Sequence, residues 1–382
     1  MSNYTLDIFL ILLFALVQWR ITRLVLGSTR NRSLRAGILI FDAAAAVSYV
    51  FTFSVVLAAL PIPTTLGMAL GAGSLAYFMT ATAMLVIHTA MRLVSRMLSA
   101  ATHPGRRQVL NATGNVLMAA PFAVMGYGAL VQRTDFRVRE VDLAIAELPE
   151  DLENFRILHL SDIHLSAFLS EREFARVVDA SLELRPHLAV VTGDLISGPR
   201  DPLDACIRQL ARLKADAGIF GCMGNHERYA KSEAYTEREC ARRGIRFLRG
   251  QAAPLRFGNT VMNVAGCDFV SFRQRRSYLA GMDRLVDPGA FNVLLQHNPD
   301  VFPVSARQGY NLLLAGHTHG GQVTVEILEQ SINPARFFTP FVYGTYRAGK
   351  ASAYVTRGIG TIGVPARIGA PPEISVLRLR KA

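Results

Sequence analysis

Charge is scarce in this sequence. Only 18% of its 382 residues are Asp, Glu, Lys or Arg, against 51% hydrophobic, a balance too apolar for a wholly soluble protein and one that points to membrane segments. Cysteine is scarce too: Cys206, Cys222, Cys240 and Cys267 form no CxxC and no short Cys/His cluster. That excludes zinc-ribbon and thioredoxin-like sites and leaves buried thiols as the reading, with no pair singled out for a disulfide outside the cytoplasm. No internal repeat or low-complexity tract is present. Acidic residues are the minority sign, 29 against 41 Lys and Arg, for a formal charge of +12. Residues 1–140 carry 12 Arg and 4 acids, or +8, which leaves +4 for the remainder. The basic excess thus belongs to the most apolar part of the chain, where membrane topology explains it better than nucleic-acid binding, and no nucleic-acid partner is expected.

Four apolar stretches precede residue 132, near 6–27, 37–60, 65–90 and 109–131, each long enough for the roughly 20 residues of helix that cross a bilayer. The chain opens on the uncharged MSNYT, so the first stretch reads as a retained helix and not as a cleaved signal peptide. Arg20, Arg23, Arg30, Arg32 and Arg35 mark the first connection, and Arg92, Arg96, Arg106 and Arg107 the third. The PIPTT connection carries no arginine, and Arg133, Arg137 and Arg139 follow the last stretch. Nine against three puts the first and third connections in the cytoplasm, and with four spans the remainder of the chain falls on the outer face. Asp42 and His88 lie inside these stretches near their arginine-rich ends, where pairing with arginine or snorkelling is expected.

After residue 133 the pattern changes. FRVREVDLAIAEL alternates like a strand and LPEDLENF reads as a loop. RILHLSD, HLAVVTGD, GIFGCMGN, NTVMNVAGC, FNVLLQHN and NLLLAGHT are short apolar runs that end in polar residues or glycine. Helical stretches separate several of them, at 170–184 and 201–215. Strands alternating with helices predict an α/β domain over 133–382, following a transmembrane region over 1–132, with its site at the carboxyl ends of the strands.

The residues at those strand ends share one chemistry. They are Asp162 and His164 in HLSDIHL, Asp194 in VVTGDLISG, Asn225 and His226 in GCMGNHE, His297 in LLQHNPD, and His317 and His319 in LLLAGHTHGGQ. All are oxygen or imidazole donors and none is a thiolate, a set that suits two divalent ions such as manganese, iron or zinc. At an extended strand end residues i and i+2 point to one side, so Asp162 with His164, and His317 with His319, can each converge on a pocket. Taken alone, His297 after an apolar run is more often a hydrogen-bonded histidine than a ligand; five such blocks in series are another matter.

The blocks SDIH, GD, GNHE, QHNPD and GHTHGGQ resemble the calcineurin-like metallophosphoesterases, over residues 156–322 and in the family's order. TRGIGTIGVPARIGAPPEISVLRL is similar to the bacterial membrane-associated branch, which includes enzymes that cleave UDP-2,3-diacylglucosamine in lipid A synthesis. The resemblance implies an αββα sandwich and a metal-dependent phosphoesterase with two divalent ions. By the same resemblance Asp162, His164 and His319 would take one ion, Asn225, His297 and His317 the other, and Asp194 would bridge. His226 would be the catalytic proton donor at the leaving oxygen. Glu227 stands where the family more often has aspartate.

Two ions roughly 3.5–4 Å apart would hold a hydroxide for in-line attack on a phosphodiester or pyrophosphate without a covalent intermediate. The expected partners are a phosphate ester, lipid-linked in this setting, and the membrane itself. PARFFTPFVYGTYRAG (334–349) sets Phe337, Phe338, Phe341, Tyr343 and Tyr346 among Arg336 and Arg347, suited to an acyl chain with a phosphate, to a membrane surface, or to core packing. The expected location is the bacterial inner membrane, multi-pass, with the catalytic domain periplasmic, which favours a phospholipid or other lipid-linked phosphate over a cytoplasmic UDP-sugar lipid. The alternative function is a non-catalytic metal-binding scaffold or membrane sensor on the same fold.

Overall fold

The structure, a computed structural model, describes residues 3–53, 64–98, 104–327 and 330–382. The chain forms two compact units, residues 1–129 with 363–365 and residues 130–362 with 366–382.

The first unit is built from helices α1 (Asn3–Ser28), α2 (Arg32–Phe53), α3 (Thr64–Leu98) and α4 (Pro104–Leu130). Each expected apolar stretch falls on one of them, although the end of the second and residues 61–63 of the PIPTT connection lie outside the described residues. Among the described residues two segments, Ala69–Met97 and Ala112–Thr134, are long and apolar enough to cross a membrane by length and composition. Arg35 donates to the carbonyls of Leu26 and Thr29, so a guanidinium satisfies backbone oxygens that the end of α1 leaves unpaired. Phe14 stacks on Tyr49 with ring centroids 3.7 Å apart, and Phe78 tilts against both. Asp42 is not paired with arginine as the sequence suggests: its carboxylate accepts from the Gln18 amide and the Thr22 hydroxyl, both on α1. His88 faces a cavity of about 460 Å³ that Arg92, Ser95 and Asn115 also line.

The second unit opens with β1 (Arg137–Ile145), β2 (Arg156–Leu160), α5 (Glu171–Leu182), β3 (Leu188–Val191), α6 (Leu203–Leu210) and β4 (Ile219–Gly221). Next come α7 (Asn225–Tyr229), α8 (Glu233–Ala241), β5 (Ile245–Phe247), β6 (Gln251–Phe257), β7 (Thr260–Gly266) and β8 (Phe291–Leu295). It closes with α9 (Phe302–Gln308), β9 (Leu312–Ala315), β10 (Val325–Ile327), β11 (Gln330–Ile332), β12 (Gly344–Ala348), β13 (Ala351–Val355) and β14 (Glu373–Lys381). The first sheet runs β1-β14-β2-β3-β4-β5 and the second β12-β13-β9-β8-β7-β6, while β10 and β11 form a separate hairpin.

Alternation of side chains assembles these sheets into layers. Ile157, Leu188 and Val190 of the first sheet share one core with Val293, Leu295, Leu312 and Leu314 of the second. Their sequence neighbours turn the other way. Leu158, Leu160, Ala189 and Val191 pack with Phe174, Val177 and Val178 of α5 and with Cys206, Ile207 and Leu210 of α6. Leu294, Leu313 and Ala315 pack with Phe302 of α9. Strands buried on both faces read as unbroken apolar runs, which is why LAVV and LLLA were legible as strands. The mixed α/β fold with two facing sheets agrees with expectation. Helix α6 is shorter than the 201–215 stretch suggests, because residues 211–218 turn back towards β4 through Gly218 at φ 94°. All four cysteines are free thiols; Cys206, Cys222 and Cys240 are buried.

Candidate metal centre

Strands β2, β3 and β4 are mutually parallel, as are β8 and β9, so five carboxyl ends deliver their next residues to one region. Asp162 and His164 follow β2, Asp194 follows β3, Asn225 opens α7 just after β4, His297 follows β8, and His317 and His319 follow β9. Donor atoms of Asp162, His164 and His319 lie within 4.8 Å of one another, as do those of Asp194, His297 and His317, and those of His164, Asp194 and His226. Asp194 Oδ2 is 3.5 Å from His164 Nε2 and 3.1 Å from His297 Nε2, while Asp162 Oδ1 is 3.3 Å from His319 Nε2.

Backbone conformation explains how the turns present these side chains. Asp162, His164, Asp194, His317 and His319 all have positive φ, between 48° and 75°, where a non-glycine residue is strained. Each turn therefore needs outside support. Glu227, fully buried, accepts from the backbone N–H groups of Asp194 (2.9 Å), Leu195 (2.7 Å) and Gly224 (2.9 Å), tying the β3 turn to the β4 turn. The N–H of His317 donates to the Asp162 carboxylate at 3.0 Å, joining the β9 turn to the β2 turn. At Gly224 a Cβ would lie 2.1 Å from Asp194 Oδ1, so glycine alone lets that carboxylate lie against the backbone.

Hydrogen bonds on the far side fix the rings. His297 Nδ1 donates to the Thr192 carbonyl at 2.5 Å and His226 Nδ1 to the Ser197 carbonyl at 2.7 Å; His164 Nδ1 is 3.1 Å from the Ser197 hydroxyl. Burial holds the His164 and His319 imidazoles well below their ordinary pKa, Arg367 adding to the effect at His319, and lowers His317 to about 4. His297 goes the other way. Burial opposes its charge, yet Asp194 and Asp162 outweigh burial and raise it to about 10. Conversely, burial would raise Asp194, but His297 and His164 hold its carboxyl far below the usual range.

These residues fit divalent metal. His164 Nε2, His297 Nε2 and Asn225 Oδ1 are buried without a hydrogen-bond partner, the Asp194 contact of His297 being close but not aligned for one. Two carboxylates demand positive charge in this buried pocket: the proton that Asp194 and Asp162 hold on His297 supplies it without metal, and a bound cation would take its place.

Residues 155–321 match the family model of the calcineurin-like phosphoesterases. The chain is also 30% identical over 252 residues to an uncharacterized metallophosphoesterase of Aquifex aeolicus, a match covering 64% of this chain and 92% of that protein. The chain belongs to the calcineurin-like metallophosphoesterase family. It is 31% identical over 282 residues to a transmembrane protein with metallophosphoesterase domain of Danio rerio, covering 70% of this chain and 62% of that protein. It is 28% identical over 241 residues to the phosphodiesterase YaeI of Escherichia coli, covering 62% and 86% respectively. This metallophosphoesterase is a metal-dependent phosphoester hydrolase.

One supporting residue, Arg367, escaped the reading of the sequence, and a second, Glu227, was read only in part. The metallophosphoesterase buries Arg367 completely, and its guanidinium donates to the carbonyls of His319 (2.9 Å), Arg357 (2.8 Å), Gly360 (3.0 Å) and Ala370 (3.3 Å). Arg367 thereby holds the His319 turn from the C-terminal segment, well outside the matched residues. Its only signal was a position inside TRGIGTIGVPARIGAPPEISVLRL. Glu227 was visible as a neighbour of His226 but not as the clamp between two turns.

Proposed function

We propose that the protein hydrolyses a phosphodiester or pyrophosphate bond at a binuclear centre. Asp162, His164 and His319 would hold one ion, Asn225, His297 and His317 the other, and Asp194 would be shared. One observation carries this reading: the Asp194 carboxylate stands between His164 and His297, at 3.5 Å and 3.1 Å, so one side chain serves both groups of donors. Divalent ions bound there would lower the pKa of a coordinated water and offset the charge of the phosphoryl oxygens. The remaining steps belong to the chain. His226 donates its Nδ1–H to the Ser197 carbonyl, which can only accept, so as the imidazolium it would release the Nε2 proton to the leaving oxygen and end as the neutral Nδ1–H tautomer. Asp194 Oδ1 accepts from the backbone N–H of His226 at 2.9 Å, coupling the placement of the acid to that of the shared ligand.

We further infer that residues 1–132 anchor residues 133–382 to a bacterial inner membrane. Two apolar helices, and exposed large apolar side chains such as Ile8, Leu12, Leu16 and Ile40 along the helical unit, support an anchor. The arginine distribution supports four spans and a periplasmic catalytic domain. On that side a phospholipid or another lipid-linked phosphate is the substrate, and UDP-2,3-diacylglucosamine is the substrate if the domain faces the cytoplasm.

The test is a pair of variants assayed on bis-p-nitrophenyl phosphate with metal content measured in parallel. Asp194→Ala is expected to lose metal and activity together. His226→Ala is expected to keep its metal while kcat falls on the order of 10²-fold or more. A metal-replete Asp194→Ala protein of full activity would overturn the assignment.

A further inference from the structure

Beside His317 lies a cavity of about 1080 Å³, far more than a phosphoryl group fills. One wall comes from the segment between β7 and β8, through Phe269, Arg273, Arg275 and Tyr278, with Arg228 from α7 beside them. The segment before β12 lines it as well, through Phe337, Phe338 and Phe341. His317 and Thr318 line the same space, so it is continuous with the candidate metal centre.

What this lining can recognise follows from which of its polar groups are already used. The Asn298 amide donates to the Val270 carbonyl at 2.8 Å, the Thr318 hydroxyl to the Val342 carbonyl, the Thr339 hydroxyl to the Asp300 carboxylate, and the Ser271 hydroxyl to Gln274. Few neutral donors are left to read a base or a sugar. Guanidinium groups remain, Arg228 giving only one of its N–H groups to Gln274 at 3.4 Å, and so do aromatic faces. Three arginines against Asp300, itself a lining residue held by Thr339, leave the cavity positive. Phe337 and Phe338 stand 87% and 86% exposed at its edge, two adjacent phenyl rings largely open among the described residues. Other aromatic residues of that stretch are spoken for: the Tyr346 hydroxyl accepts from the N–H of Val342 at 2.9 Å and donates to the Tyr343 carbonyl at 3.1 Å.

We propose that this cavity binds the non-reacting part of an amphiphilic phosphoester, with Arg228, Arg273 and Arg275 facing its anionic portion and Phe337 and Phe338 its aliphatic chain. The proposal rests on the phosphoesterase reading of the adjoining site, and names the residues that select its substrate.

The experiment uses the full chain in detergent, loaded with Mn²⁺, and compares ethyl with dodecyl p-nitrophenyl phosphate below the micelle concentration. The dodecyl ester is expected to have a kcat/KM about tenfold higher or more, since several of its extra methylenes leave water. In a Phe337→Ser/Phe338→Ser protein that ratio falls towards one. Arg273→Glu/Arg275→Glu is expected to raise KM for the dodecyl ester several-fold with little change in kcat, an effect that added salt shrinks. Equal kcat/KM for the two esters in the unaltered protein overturns the proposal, as does a ratio that survives the two serines. A p-nitrophenyl nucleotide ester cleaved about tenfold better than the dodecyl ester also overturns it. Failure to cleave any of the esters with metal bound instead overturns the underlying phosphoesterase reading.

Discussion

At the scale of single residues, the side chains that would meet metal are held by others that would not. Arg367 is the clearest case. A fully buried guanidinium has lost its hydration and recovers it only through carbonyl acceptors, here those of His319, Arg357, Gly360 and Ala370. Burial lowers its pKa to about 10, which leaves it charged at neutral pH. Replacing it with methionine keeps the length of the side chain but strands four carbonyls, so Arg367→Met is expected to cost about 3 kcal/mol of stability or more. Because one of the four is the carbonyl of His319, the same variant is expected to bind Mn²⁺ more weakly. Urea unfolding with and without Mn²⁺ reads both effects; an unchanged midpoint and an unchanged metal-induced shift would remove Arg367 from this role. Glu227 is comparable in kind. Its carboxyl is raised by burial and by Asp194, yet three backbone donors favour its charged form.

At the scale of elements, the strands and their ends were legible because two independent patterns coincide. Runs such as LAVV and LLLA are apolar at every position, as strands covered on both faces must be, and each run stops within three residues of a candidate ligand. Every candidate ligand read from the sequence comes to the same end of the two sheets. The turns were less legible. Nothing in DIH or HTH announces positive φ at Asp162, His164, His317 and His319, because that conformation is imposed by contacts between turns distant in sequence. The C-terminal support was missed for the same reason. Gly316 shows how tight these contacts are: a Cβ there would lie 2.1 Å from Ser161 Oγ and 2.2 Å from Asp162 Oδ2. Gly316→Ala is therefore expected to push the β9 turn off the β2 turn, lowering bound metal and the thermal midpoint together. A variant with wild-type metal content and midpoint would show that the turns accommodate a methyl group.

At the scale of the whole molecule, the question is what the apolar N-terminal region contributes to hydrolysis. Every candidate ligand, the residues that hold them and the cavity beside His317 lie within residues 130–382. Asp42, a half-buried carboxylate of the helical region, is engaged by Gln18 and Thr22, an arrangement that satisfies it locally and needs no ion path. A chain shortened to begin at residue 130 keeps Gln132, whose side chain accepts from the N–H of Gly369 at 3.0 Å, and Arg133, which donates to the Phe168 carbonyl. Such a chain is expected to hydrolyse bis-p-nitrophenyl phosphate with kcat within about twofold of the full chain, since on the anchoring proposal the removed helices make no interaction in the transition state. It is also expected to leave the membrane fraction on sedimentation. The two readouts separate the alternatives: a soluble, active product assigns the helices to anchoring, whereas a folded, metal-loaded but inactive one would make them part of the catalytic apparatus.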